Sequence, residues 1–185
     1  MAHTNFEDCV ISIYEFLHNL NLPYMIIGGL AGSVLGEPRT TLDIDMLLFT
    51  KPDNLPEFLA RAKRFGFKFE NSLALKNAKE KLCFQMEYGT VTVDCLLAET
   101  LFESEALFRK IQIKIGKFKI YFPSPEDFIL MKLLVGREKD ILDVKNVILR
   151  HKNDLDVPYM KDWAEKLQKL AKDIPLSHRL AELLK

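Results

Sequence analysis

Apolar residues fall three or four apart at Phe6, Val10, Ile13, Leu17 and Leu20, which puts them on one stripe and predicts a helix over 5–20. Pro23 closes that segment. Tyr24 to Ile27 is a short apolar run that reaches Gly28-Gly29, the pattern of a buried strand entering a tight turn. Leu30 to Leu35 is small and apolar and reads as a short helix, with Gly36 just past its end. Leu42 to Phe49 is a strand pattern interrupted by Asp43 and Asp45, which share one face because side chains alternate along a strand. A helix over 54–66 is expected to stop at Gly66.

Strands follow over 82–88 and 90–97, meeting at Gly89; in the second, Thr90, Thr92, Asp94 and Leu96 share a face. Residues 100–110 read as a helix, and Ile111 to Phe122 alternates about Gly116-Lys117 like a hairpin. Ser124-Pro125-Glu126-Asp127 is a helix start: a hydroxyl cap, a proline in the first turn, and acids near the positive helix end. Helices are expected from there to the C-terminus, broken near Gly136, Pro158 and Pro175. The predicted class is α/β (α+β): a mixed-sheet core over 1–122, then a helical part over 123–185 packed on it.

The chain has 185 residues, 48% of them hydrophobic and 28% charged, enough to bury a core and too apolar for disorder. Its net charge of +0 excludes a binder that is basic over its whole surface. The balance is nevertheless uneven: −6 over 1–60, +2 over 61–100, +4 over 101–152 and zero beyond. An acidic part facing a basic one suits a metal site beside an anion site, though solvated faces often carry such asymmetry. Cys9, Cys83 and Cys95 are odd in number and widely spaced, the usage of buried free thiols in a reducing compartment. With no apolar run long enough to span a bilayer and no readable signal peptide, a cytoplasmic location is expected. His3, His18, His151 and His178 show no ligand spacing, and Trp163, Phe118 and Tyr121 read as core aromatics.

The chemistry concentrates between Gly28 and Asp45. Glycines without a Cβ let the backbone approach a phosphate, and the N-terminus of the following helix aims N–H groups at the same place. Thirteen residues separate Gly29 from Asp43. Two carboxylates so close repel each other unless a cation such as Mg²⁺ lies between them, and burying them in an apolar strand is costly without one. Gly-Gly after a strand is usually only a turn, and Asp-x-Asp usually a solvated pair; their conjunction is far more specific.

Gly28, Gly29, Ala31, Gly36, Arg39, Thr41, Asp43 and Asp45 together resemble the motif of the nucleotidyltransferase superfamily related to DNA polymerase β. Within it the chain is most similar to small bacterial members that include toxins of type IV toxin–antitoxin (abortive-infection) systems. Lys132 to Val147 resembles a later motif of that group. The resemblance implies an enzyme that binds an NTP with two Mg²⁺ ions, passes the nucleoside monophosphate to a hydroxyl and releases pyrophosphate. It implies Asp43 and Asp45 as metal ligands and a third carboxylate on a later strand, for which Asp94 is preferred to Glu87 because it interrupts an apolar strand.

By the same resemblance Gly28 and Gly29 cradle phosphates. Many relatives carry Ser at the second position, where this chain has Gly29. Ser33 either supplies that hydroxyl or bonds back to its own helix. Arg39 holds phosphate with its fork or balances Asp43 or Asp45. Lys132 shares a helical face with Gly136, Asp140 and Asp143 if Gly136 does not break the helix, while Arg137 and Lys139 point elsewhere. It either reaches phosphate or snorkels to water. The acceptor is left open among an RNA 3′ end such as tRNA, a protein and a small molecule, with a toxin or antitoxin as a further partner. The alternative is a non-catalytic nucleotide-binding or partner-binding module on the same fold.

Overall fold

The structure is a computed structural model and describes residues 5–185; His3 lies outside them. The elements run α1 (Asn5–Leu20), β1 (Tyr24–Ile27), α2 (Gly28–Leu35), β2 (Asp43–Leu48), α3 (Leu55–Ala62), α4 (Asn71–Lys81), β3 (Cys83–Tyr88), β4 (Val91–Leu97), α5 (Leu101–Arg109), β5 (Ile111–Ile115), β6 (Phe118–Phe122), α6 (Pro125–Val135), α7 (Glu138–His151), α8 (Val157–Leu170) and α9 (Leu176–Leu183). The chain divides into two compact units. One holds the chain up to Leu30 together with Thr41–Phe122, and the other holds Ala31–Thr40 and Pro123–Lys185. The second unit therefore takes in the end of α2 and the segment after it, beyond the helices expected from residue 123.

The first unit is built on a sheet of order β1-β2-β4-β3. β2 and β4 are parallel, and the outer pairs are antiparallel, so the sheet is mixed as expected. Its apolar face is closed: Ile44, Met46, Leu48, Phe84, Met86, Val93 and Cys95 are all buried. Phe16 of α1 meets Phe58 of α3 at 4.9 Å between ring centroids, and Phe58 meets Phe84 of β3 at 5.7 Å, tying helices to that face edge-on. Cys9 and Cys95 are buried free thiols, and burial pushes Cys9 up to about 12, so neither is a ready nucleophile. β5 and β6 form a separate hairpin turning at Gly116, whose positive φ of 60° suits glycine.

Three expectations change. α4 escapes the hydrophobic pattern because its buried contacts come from small residues, Ala74 and Ala78, while Leu73 is exposed. α2 begins at Gly28 itself rather than after the glycine pair. The breaks expected near Pro158 and Pro175 do occur there, with Pro158 in the first turn of α8 and Pro175 the N-cap of α9. Phe118, Tyr121 and Trp163 are half-buried rather than core residues. Among the described residues no helix is long and apolar enough to cross a membrane.

In the second unit, Ser124 caps α6: its Oγ accepts from Asp127 N at 3.2 Å and donates to Asp127 Oδ2 at 2.8 Å. Both residues are buried, so Ser124→Ala leaves the Asp127 N–H and a carboxylate oxygen without that partner. A loss of about 1–2 kcal/mol is expected, a melting temperature lower by about 2–8 °C. Calorimetry checks it. At the other end of the unit, Arg150 Nη1 donates to Gly36 O at 2.7 Å and the His151 ring pairs with Leu35 O at 2.9 Å, satisfying carbonyls at the end of α2.

Candidate active site

On the face of the sheet opposite the closed one, Met25 and Leu47 are buried at one end and the other end is polar. Register places Asp45 directly beside Asp94, and Asp43 beside Thr92, on the parallel pair β2–β4. The antiparallel pair β3–β4 sets Gln85 beside Asp94 and Glu87 beside Thr92. Paired residues share a side of the sheet, so Asp43, Asp45 and Asp94 line one face within a single pleat of each other. Asp45 and Asp94 are half-buried and Asp43 exposed, whereas Ile44 and Val93 between them point into the core. Glu87 is exposed and one pleat removed from Asp45, which leaves Asp94 as the acid opposite it.

Each carboxylate touches named neighbours. Thr41 Oγ1 donates to Asp43 Oδ1 at 2.6 Å, and Gln85 Nε2 donates to Asp94 Oδ1 at 2.8 Å. The Asp45 carboxylate packs against the backbone of Gly28, where a Cβ would overlap its Oδ2. Gly28 has φ of 66°, the left-handed conformation that lets β1 turn at once into α2. Gly28→Ala thus meets both backbone strain and the carboxylate. It is expected to destabilise by roughly 2 kcal/mol or more and to displace Asp45; thermal melts read the first, and loss of Mg²⁺-dependent nucleotide binding reads the second.

Carboxylate oxygens are the donors that Mg²⁺ prefers, and three of them on one sheet face beside a helix N-terminus fit a hard cation holding phosphate. Among the described residues, however, no group of three or more His, Cys, Asp or Glu side chains is gathered closely enough to hold an ion as it stands. The aspartates meet the requirement in kind and in backbone register. Their side chains must turn from Thr41 and Gln85 to share one ion. Gln85, which sequence reasoning passed over, is legible only as the antiparallel partner of Asp94.

The remaining candidates lie in the second unit and are engaged there. Ser33 Oγ donates to Arg39 O at 3.0 Å and accepts from Arg39 N at 3.3 Å, bonding across the turn that follows its helix. Arg39 Nε and Nη2 fork onto Asp143 at 2.8 and 3.0 Å. Gly136, with φ of 70°, ends α6, so Lys132 does not share a continuous helix with Asp140 and Asp143. Folding back of α7 brings them together instead: Lys132 Nζ lies 3.0 Å from Asp140 Oδ1 and 3.2 Å from Asp143 Oδ2. Arg137 does not point elsewhere but holds Asp140 Oδ2 at 2.7 Å. Lys132 is buried, so its charge neither snorkels to water nor stands free for phosphate. Burial alone would raise the Asp140 carboxyl, but hydrogen bonds and charges from Arg137 and Lys132 outweigh it and hold the group at about 2.

A family model described as "Nucleotidyltransferase of unknown function (DUF6036)" matches residues 11–184. No curated protein matches the chain. Among solved structures, the antibiotic-resistance factor ANT(2'')-Ia in solution shares 17% identity at a TM-score of 0.62, over 95% of this chain and 98% of that one. A crystal structure of ANT(2")-Ia in complex with adenylyl-2"-tobramycin gives 21% identity and a TM-score of 0.59, over 79% and 89% of the two chains. The lincosamide antibiotic adenylyltransferase LnuA, bound to lincomycin, gives 15% and 0.52, over 75% and 93%. At these identities the likeness is one of fold.

Proposed function

The chain belongs to the nucleotidyltransferase family whose model spans it, and from that premise we propose that it transfers a nucleoside monophosphate from an NTP to a hydroxyl of a small molecule. The observation that carries this is the set Asp43, Asp45 and Asp94 on one open sheet face, with Asp45 against the Gly28 turn that opens α2. Gly28 and Gly29 open α2, whose first N–H groups would bind phosphate oxygens, while the missing Cβ of Gly28 makes room for the Asp45 carboxylate. Two Mg²⁺ ions bound by the aspartates would neutralise charge on the attacking and leaving oxygens. The acceptor oxygen attacks the α-phosphorus, the bond to the β-phosphate breaks, and pyrophosphate leaves. Asp94, which accepts from Gln85 in the free protein, would take the hydroxyl proton once it turns toward the ions. Within the second unit Lys132 and Arg39 converge on Asp143, and Ser33 braces the Arg39 backbone.

A small-molecule acceptor is favoured over RNA by the adenylyl-tobramycin and lincomycin seen in the two resistance proteins and by the chain's zero net charge. The narrower toxin–antitoxin reading rests on the motif resemblance at 132–147; growth arrest on expression of the wild type but not of Asp45→Asn is its test. For the function itself, titration calorimetry with ATP, CTP, GTP and UTP, with and without Mg²⁺, should find an NTP whose binding needs the metal and both Asp43 and Asp45. That NTP, labelled at its α-phosphate, is then offered to hydroxyl-bearing small molecules. If the folded protein binds no NTP, the non-catalytic module becomes the reading.

A further inference from the structure

The first unit contains a cavity of about 350 Å³ between the last turn of α1, the start of β1 and one face of the β5–β6 hairpin. It is lined by Tyr14, Tyr24 and Tyr121, and by Lys110, Lys119 and Gln112. No Asp or Glu lines it. Tyr24 opens β1 and Gly28 follows the strand's last residue, so about 13 Å of extended chain separates this cavity from the proposed phosphate turn. The volume lies within the usual range for small-ligand sites, about 300–1,000 Å³.

Its fixed charges are two ammonium donors, Lys110 and Lys119, and the amides of Asn21 and Gln112 offer donors and acceptors beside them. The Tyr24 side chain is 3% exposed, and its hydroxyl has no hydrogen-bond partner. Leaving a buried hydroxyl unpaired is costly, and here it lies behind the cavity wall, out of contact with solvent. Burial, with Tyr121 and Tyr14 adding to it, raises the phenol's pKa, so it remains a donor. Lys110 Nζ lies over the Tyr121 ring at 5.1 Å from the centroid, held there by Leu107 O at 3.0 Å. Neither Lys110 nor Lys119 pairs with a carboxylate among the described residues. Two ammonium groups without a carboxylate partner thus border a space walled by the rings of Tyr14, Tyr121 and His18 and by Leu17, Leu22 and Pro23. Such walls accept a flat ring, and the donors accept an anion.

We propose that this cavity is a second ligand site, for a small planar molecule carrying a carboxylate or a phosphate, separate from the site of nucleotidyl transfer. An aromatic acid and a nucleoside monophosphate share that chemistry, and the test separates them. The full chain, in EDTA to keep nucleotide from a metal-dependent site, is titrated calorimetrically with 4-hydroxybenzoate and with AMP. The uncharged counterparts 4-hydroxybenzyl alcohol and adenosine serve as controls. One anionic probe is expected to bind one-to-one, at least 10-fold more tightly than its neutral counterpart. Lys110→Met/Lys119→Met should weaken it at least 10-fold. Tyr24→Phe should leave binding within about 2-fold while raising the melting temperature of the free protein, because the unpaired hydroxyl is gone. Asp43→Ala/Asp45→Ala should bind as the wild type does, even if no nucleotidyl transfer is ever found. Absence of binding by either anion, unchanged binding in the lysine variant, or loss of binding in the aspartate variant overturns the proposal.

Discussion

Asp45→Asn is expected to lower nucleotidyl transfer by about 1,000-fold or more while leaving the melting temperature unchanged or a few degrees higher. The first effect follows from position. Asp45 sits beside Asp94 in register and against the Gly28 backbone, where an ion could bridge the sheet face and the phosphates. Asparagine has nearly the same shape and still offers one oxygen, but it removes the charge that offsets a divalent cation. A 1,000-fold loss corresponds to about 4 kcal/mol of transition-state stabilisation, the scale expected for losing a metal ligand. The second effect follows from repulsion, since Asp43, Asp45 and Asp94 crowd three like charges onto one face and removing one relieves the others. The measurements are single-turnover transfer and thermal melting of the same preparations. Activity and stability falling together would show Asp45 to be a structural residue.

Lys132→Met is expected to cost about 3 kcal/mol, lowering the melting temperature by about 6–12 °C. Lys132 is buried between two buried carboxylates, Asp140 and Asp143. Methionine fills similar space but leaves those carboxylates with Arg137 and Arg39 alone, and an undercompensated buried charge is strongly destabilising. Adding Asp140→Asn to Lys132→Met should recover part of the loss, because the two residues act as a unit. The network also sets an acid limit. Asp140 is held at about 2 in the folded protein, against an ordinary value of 3.8. A carboxyl lowered on folding contributes stability above its unfolded value and loses it as the pH falls. The contribution, about 2 kcal/mol, is therefore complete above roughly pH 4 and gone near pH 2. Denaturant titrations across that window should be steeper in the wild type than in Asp140→Asn.

Where hydrophobic periodicity was strong, local physics and tertiary packing agreed: α1, β1, β2, β4 and the β5–β6 hairpin lie where the pattern puts them. α4 was invisible because alanines pack closely against a neighbour without producing an apolar stripe. The two carboxylates of Asp43-Ile44-Asp45 follow from strand alternation alone, and the glycines before them follow from the need for a left-handed turn. That Asp94 stands opposite Asp45, and that Gln85 holds it, depends on the pairing of β2, β4 and β3, which no single strand's pattern contains.

The basic residues show the same limit more sharply. Sequence composition establishes that Arg39 and Lys132 are cations in or near apolar segments and so require partners. Only the folding back of α7 brings Asp143 and Asp140 to them as partners. The backbone preferences and alternation that define elements act over a few residues, and the sequence by itself determined them. A charge's partner is chosen by which groups burial brings within about 3–4 Å, and that distance is set by the fold.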